Sequence, residues 1–514
     1  MHSEIGPPKL VESDDVPARI RPQRSFEVSG FVVGSRYLTF ANTIENARCA
    51  LLERVFYHEV EGVFTTPADP SSVVVDAALE CFRKRLRWVL KKAAPVERHD
   101  YVRATYRGRR LGVYLQAVEK LDRRGLLESD SYSSTFLKWE KILEQPKRQV
   151  PRVIQPRAPA YNVELGRYLH PIEHELYHAI DVVYGQPTVM KGKNAFQQGE
   201  CFHDAWAQFQ HPVALCIDAS RFDQHIRSGL LRWEHSIYDY IFSGDKHLRM
   251  LLKWQLKTVG FMRSSGKLLR YRVSGGRCSG DMNTACGNIL VACAGVYAWL
   301  RSVGLHKSVR VLDAGDDCVI IGESADLRAA APTLQPWFSA NMGLIMKVEP
   351  FVDVLEQVSF CQTQPVYDGS QWRMVRDPRV SMSKDATIIH SQYVGDNLTR
   401  YLATVGDCGI SLTSGLPILQ EYYTAMGAGK GLSPLVDEQL AESGFFRLAR
   451  GLHGKYRPIT DTARVSFWRA FGIVPEIQVA LEEQFRATTV PCGVVPSYGE
   501  VDRIDLGIGV AWCN

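Results

Sequence analysis

Ser308-Val-Arg-Val-Leu-Asp313-Ala-Gly-Asp316-Asp317-Cys-Val-Ile-Ile-Gly322 sets two apolar runs on either side of a Gly-Asp-Asp. The flanking runs, SVRVLDA and CVIIG, read as paired strands, and Gly315 permits a tight turn between them. The pattern predicts a hairpin with acidic residues at its tip. Adjacent carboxylates are costly to desolvate unless cations accompany them. Hard oxygen ligands select Mg²⁺ or Mn²⁺. A Gly-Asp turn by itself is common and mostly structural, so the argument rests on what surrounds it.

About a hundred residues earlier, His211 to Asp218 (HPVALCID) reads as a buried strand that ends on a carboxylate, followed by Asp223 in the run Asp218-Ala-Ser-Arg-Phe-Asp223. A carboxylate at a strand end is fixed by the sheet yet open to solvent. Between the two acidic strands lies Ser279-Gly280-Asp281-Met282-Asn283-Thr284-Ala285-Cys286-Gly287-Asn288. The stretch from Asp281 to Leu300 reads as a long helix, on which Thr284 and Asn288 share a face. The 2′-hydroxyl of a ribose both donates and accepts. An Asn amide, a Thr hydroxyl and a carboxylate such as Asp223 can therefore recognise it. Taken in isolation this segment reads better as an ordinary capped core helix.

Two divalent ions about 4 Å apart can activate a 3′-hydroxyl and stabilise departing pyrophosphate in an in-line displacement. That chemistry needs positioning and charge neutralisation more than a protein nucleophile. Asp218 and Asp316 are the natural bridging ligands, with Asp317 in support.

In this order the residues resemble the palm motifs of positive-strand RNA virus polymerases. Asp218 and Asp223 are similar to motif A. Ser279, Gly280, Thr284 and Asn288 are similar to motif B, and Gly315-Asp316-Asp317 to motif C. The run from Pro151 to Arg167, with Lys138-Trp-Glu-Lys141 before it, resembles motif F of tombusvirus-like polymerases. Tyr106-Arg-Gly-Arg-Arg110, with Tyr114 and Ala117-Val118, resembles their fingertip segment. Lys347 stands where motif D keeps a lysine, and Phe360-Cys361-Gln362 is similar to the primer grip, motif E.

The resemblance implies an α/β (α+β) right-handed fold. Residues 96–210 would form fingers, 211–395 a palm with an inserted fingers segment near 230–275, and 396–514 a mainly helical thumb. Residues 1–95 stay unassigned. It implies RNA synthesis on an RNA template from nucleoside triphosphates, with two Mg²⁺ or Mn²⁺ ions on Asp218, Asp316 and Asp317. Asp223, Ser279, Gly280, Thr284 and Asn288 would select ribose. Arg152 and Arg157 would hold the triphosphate, since guanidinium forks fit phosphate oxygens. Lys347 would protonate pyrophosphate. Lys138, Lys141, Arg109, Arg110 and Arg167, with Phe360 and Cys361, would contact template and primer. Family members often carry this domain as an extension of a membrane-anchored replication protein. The expected setting is therefore the host cytoplasm, at membrane-associated replication complexes reached through a viral auxiliary partner.

Composition agrees with this reading. The 514 residues exceed what one core usually serves. With 45% hydrophobic and 23% charged residues the profile is globular. Twelve cysteines form no C-x-x-C pair, which argues against a zinc ribbon or disulfide framework. No secretory signal is expected in residues 1–25, and the apolar run Ile289 to Leu300 is too short to span a bilayer. Net charge is +5, yet residues 81–170 hold 21 Lys/Arg against 9 Asp/Glu. A basic part beside an acidic remainder suits an enzyme that grips polyanions and holds cations. Cys81 to Ala93 reads as a basic amphipathic helix, and Val358 to Gln362 as a short strand.

His174-Glu175-Leu176-Tyr177-His178 fits the zinc pattern H-E-x-x-H, but lacks a third ligand at metzincin spacing. Gly427-Ala-Gly-Lys-Gly431 lacks the G-K-[ST] of a phosphate loop and reads as a glycine-rich turn. Two rival functions remain. A reverse transcriptase shares the palm and metals, but Asp223 and Asn288 favour ribose. A catalytically silent RNA-binding scaffold has no need of three converging carboxylates.

Overall fold

The structure, a computed structural model, describes residues 9–15, 25–28, 31, 35–60, 62–145, 149–429, 431, 435, 444–488, 494–497 and 500–501. At its centre is a four-stranded antiparallel sheet in the order Arg310–Asp313, Asp317–Glu323, Pro212–Ala219, Met346–Val348. The strand Pro212–Ala219 is apolar on both sides because the sheet is covered on both faces. Alternate side chains enter different cores, as the two-residue strand period requires. Val213, Leu215, Ile217 and Ala219 pack with Cys318 and Ile320 into the larger cluster. Helices Ser72–Val89, Pro159–Tyr184, Ser228–Ile241 and Thr284–Ser302 supply most of the rest of that cluster, with Leu248, Leu251, Leu334 and Phe338 from other helices. Ala214 and Cys216 face the other way with Leu312, Val319 and Ile321, against Met190, Phe202, Leu355, Val358, Phe360 and Met374.

A five-stranded sheet lies beside it in the order Leu10–Asp14, Lys267–Ser274, Lys257–Ser264, Ser133–Leu137, Val153–Ile154. Helices Ser228–Ile241 and Lys246–Gln255 lead from the strand carrying Asp218 out to its hairpin. That hairpin pairs in parallel with Ser133–Leu137, more than a hundred residues upstream. A third core gathers Val366, Val375, Met382 and Ile388 with helices Leu398–Thr413, Leu419–Ala425, Asp461–Phe471 and Pro475–Ala487.

Three expectations are corrected in detail. The long helix begins at Thr284, not Asp281, because the side chains of Asp281 and Asn283 are held by Arg157 and Glu234. The Thr284 hydroxyl turns back to donate to the Cys278 carbonyl at 2.9 Å. Residues Val358 to Gln362 form no strand; Cys361 and Gln362 adopt left-handed backbone (φ 49° and 62°). This tight turn leads into the hairpin Thr363–Tyr367 with Trp372–Arg376. The basic helix spans Ser72–Val89, so its packed face (Val75, Leu79, Phe82, Leu86) begins earlier than the charge pattern implied. Of the glycine-rich segment, Gly427–Gly429 form a turn, and Lys430 lies outside the described residues. No helix among the described residues is long and apolar enough to cross a membrane.

Candidate active site

The acidic hairpin forms as its sequence predicts, Arg310–Asp313 pairing with Asp317–Glu323. Gly315 sits at φ 107°, a conformation that disfavours any side chain, and the turn rests against Asn288 and Ile289. The decisive arrangement is register. Asp218 stands directly opposite Asp317 on one neighbouring strand and opposite Lys347 on the other. Opposed residues in antiparallel strands have Cα atoms about 4.5–5.5 Å apart, so two segments a hundred residues apart deliver their carboxylates to one place. Lys347 Nζ lies 3.9 Å from Asp218 Oδ2.

The electrostatics agree with this crowding. Burial, then the charge of Asp316, then that of Asp218 push the Asp317 carboxyl above the usual range, and a hydrogen bond from the Cys361 thiol opposes them. Among the described residues, the three-ligand cluster with donor atoms within 4.8 Å of one another is Glu200, His203 and Asp204, not the aspartate set. The aspartate set nevertheless fits hard divalent ions by its donor chemistry: carboxylate oxygens from three adjacent positions, two raising the pKa of the third. In the H-E-x-x-H segment His174, Glu175 and His178 lie on the exposed face of helix Pro159–Tyr184.

Beside the aspartates, the half-buried Asp223 faces the Ser279–Asn288 segment. It accepts hydrogen bonds from the Ser279 hydroxyl and from Asn288 Nδ2 at 2.7 Å. Burial raises its pKa, while Ser279, Asn288 and Arg277 oppose that rise. Gly280 (φ 122°) lets the Ser279 loop run against Gln155 and Pro156, and the Gln155 N–H donates to the Ser279 carbonyl at 2.7 Å.

Of the two arginines expected to hold triphosphate, only Arg152 faces this region. Its guanidinium is half-exposed and forks onto Glu140, with Nε to Oε1 at 2.7 Å. Glu140 is shared with Lys138 at 3.2 Å. The Glu140 hydrogen bond raises the Arg152 pKa, and the charges of Asp316 and Asp223 act in the same direction. Arg157 is committed elsewhere. It is 3% exposed and donates to Asp281 at 2.5 and 3.3 Å, to the Ser131 carbonyl at 2.6 Å and to Thr258 at 3.2 Å.

The residues expected at template and primer also divide. Arg109 and Arg110 are exposed at the start of helix Gly108–Arg124. Arg167 is half-buried and lies over the Tyr168 ring. Lys141 is turned inward and donates to the Lys384 carbonyl at 2.6 Å, where burial lowers its pKa to about 8. Phe360 is buried against Phe202, whereas Cys361 is exposed on the tight turn beside Asp317.

Sequence reasoning missed four groups. Glu140 lies inside a quoted motif, but only the fold shows it holding Arg152. Asp313 is fully buried beneath the turn, where its carboxylate accepts from Gly315 N–H at 2.9 Å and burial raises its pKa to about 8. Arg277 and Glu234, 43 residues apart, form a fully buried ion pair with no local spacing to announce it.

Residues 11–493 match the family model described as viral RNA dependent RNA polymerase. The chain is 40% identical over 476 residues to the RNA-directed RNA polymerase of Maize chlorotic mottle virus (isolate United States/Kansas/1987), covering 92% of the chain and 49% of that relative. Identity is 37% over 485 residues to that of Turnip crinkle virus (93% and 61%). For Carnation mottle virus it is 38% over 505 residues (97% and 65%). The chain thus spans about half to two thirds of the length of these relatives. A match over nearly the whole chain, on top of the paired acidic strands, places it: the chain belongs to the viral RNA dependent RNA polymerase family.

Proposed function

We propose that the chain copies RNA from ribonucleoside triphosphates onto an RNA 3′-hydroxyl, releasing pyrophosphate. The central sheet would be its palm, residues 96–210 with the 228–274 excursion its fingers, and the C-terminal helices its thumb. The observation that carries the proposal is the pairing of Asp218 with Asp317, next to Asp316 and beside the Asp223–Ser279–Asn288 cluster.

Asp218, Asp316 and Asp317 would hold two divalent ions, Mg²⁺ or Mn²⁺. When bound, these supply charge neutralisation at the attacking and leaving oxygens. The chain's own residues do the rest. Asp223, braced by Ser279 and Asn288, would present its half-buried carboxylate to the sugar. Arg152 would exchange Glu140 for triphosphate oxygens. Lys347, beside Asp218, would give a proton to pyrophosphate as the bond between the α and β phosphates breaks. The exposed Arg109 and Arg110 offer charge to the template backbone. Reach to host membranes would come through an auxiliary viral protein.

The test is template-dependent incorporation with Mg²⁺ or Mn²⁺, comparing the parent with Asp316→Ala. Incorporation by the parent that falls to background in the variant, with RNA binding retained, is the expected result. Two proteins that bind RNA equally and incorporate nothing would make the chain a scaffold. Equal use of deoxynucleotides would make it a reverse transcriptase.

A further inference from the structure

Asn288 donates its amide N–H to Asp223, but an asparagine amide is nearly symmetric in shape. Rotating it by half a turn would put its oxygen against the carboxylate and abolish the contact. Something must fix which end faces Asp223. The structure supplies it: Arg277 Nε donates to Asn288 Oδ1 at 3.1 Å. The flipped amide would face its NH₂ to a guanidinium and its oxygen to a carboxylate, so both contacts would repel.

Arg277 is itself held. Its terminal nitrogens pair with both oxygens of Glu234, and neither side chain has any solvent exposure. Glu234 Oε1 also accepts from Asn283 Nδ2 at 2.7 Å and from the Tyr238 hydroxyl at 2.9 Å. Gln255 closes the network by donating to Asn283 at 2.9 Å. The backbone takes part as well, since Arg277 N–H donates to the Asp223 carbonyl at 2.8 Å. Gly287 makes the approach possible. A methyl group there would collide with Glu234 Oε1 and come within 2.6 Å of Arg277 Nη2.

A buried ion pair is a poor source of stability compared with apolar packing, and its use is more often to specify one arrangement. We propose that Arg277, anchored by Glu234, is the positioning residue that locks Asn288 toward Asp223. Discrimination between ribose and deoxyribose then depends on an ion pair that contacts neither sugar nor metal. This rests on the proposed polymerase function and on the sugar-reading role of Asp223 and Asn288 within it.

The experiment is single-nucleotide incorporation on a primed RNA template, with a ribonucleotide and its deoxy counterpart as probes. The proteins are the parent, Arg277→Lys, Glu234→Gln and Asn288→Ala, with thermal melting recorded for each. Lysine keeps the charge opposite Glu234 but cannot make the fork and the Asn288 bond together. The expected result for Arg277→Lys is a fall of about tenfold or more in the ribo-to-deoxy ratio of kcat/KM, the size of one lost charge-assisted hydrogen bond. The loss should appear in the ribonucleotide KM, with deoxynucleotide use nearly unchanged. The double variant Arg277→Lys/Asn288→Ala should discriminate no worse than Asn288→Ala alone, because both act through one amide.

An equal loss for both nucleotides in Arg277→Lys and Glu234→Gln, with Asn288→Ala losing the ratio, overturns the inference and leaves the polymerase reading intact. A parent that does not prefer ribonucleotides overturns both. Failure of both ion-pair variants to fold would make the pair a folding element and also overturn it.

Discussion

Replacing Arg157 with alanine separates two roles for a residue whose sequence context pointed to triphosphate and whose surroundings point to architecture. The guanidinium makes five hydrogen bonds within a closed site, two of them to Asp281 and the others to Ser131, Thr258 and the Cys278 sulfur. It also lies 5.4 Å over the Tyr161 ring. Removing it leaves Asp281, itself buried, as an unpaired carboxylate at the start of the segment proposed to select ribose. Breaking a buried pair from one side costs about 3–5 kcal/mol, a large part of the roughly 5–15 kcal/mol that holds a typical protein folded. Arg157→Ala should therefore unfold at clearly lower denaturant. Arg157→Met/Asp281→Leu should recover much of the loss, because removing both charges orphans neither. The assays are chemical denaturation of all three proteins and apparent nucleotide KM on whatever folded fraction remains. An Arg157→Ala protein that denatures with the parent while its nucleotide KM rises would refute the reasoning. The guanidinium would then be leaving its pocket to serve as a phosphate clamp.

Arg152 should behave in the opposite way. It is half-exposed and its side chain pairs, among the described residues, with Glu140, so Arg152→Ala should raise apparent nucleotide KM with little change in denaturation midpoint, and unchanged nucleotide kinetics would remove its role. Gly199 packs directly on the backbone of Trp372 and Arg373, which cannot move aside as a side chain could. Gly199→Ala should cost about 1–3 kcal/mol, and denaturation at the parent's midpoint would count against this packing. His235 is buried beside Gln255, and burial lowers its pKa to about 4; His58 is lowered to about 4 for the same reason, with His225 and Arg221 adding to it. The unfolded chain binds protons near pH 6.5 that the folded chain refuses. Stability is thus full above that pH and falls as pH drops from 6.5 toward 4, by about 1.4 kcal/mol per pH unit for a histidine such as His235. Denaturation at pH 7.5 and 5.5 checks this, and a midpoint independent of pH would contradict it.

The acidic constellation was readable in the chain because each part is local. A strand ending at Asp218, a hairpin turning at Gly315 and a helix carrying Asn288 are set by short-range polarity patterns and by glycine's freedom to turn. The misread places are where a tertiary contact overrides such a pattern. Asp281 looked like the first residue of a helix until Arg157, 124 positions away, claimed its side chain and moved the start to Thr284. Arg157 was expected to hold triphosphate and Lys141 to contact template or primer, yet each is drawn inward by acceptors from other segments.

By itself, then, the order of residues pointed to the groups proposed to carry the chemistry, to their family and to most of the strands and helices that bear them. Folding alone decided which of those groups meet. The register that sets Asp218 against Asp317, the ion pair of Glu234 with Arg277 and the amide it orients all join positions tens to a hundred residues apart. Such partners are chosen by desolvation: a charge taken out of water must find its complement wherever the packed chain brings one. Periodicity along the sequence carries no record of that choice.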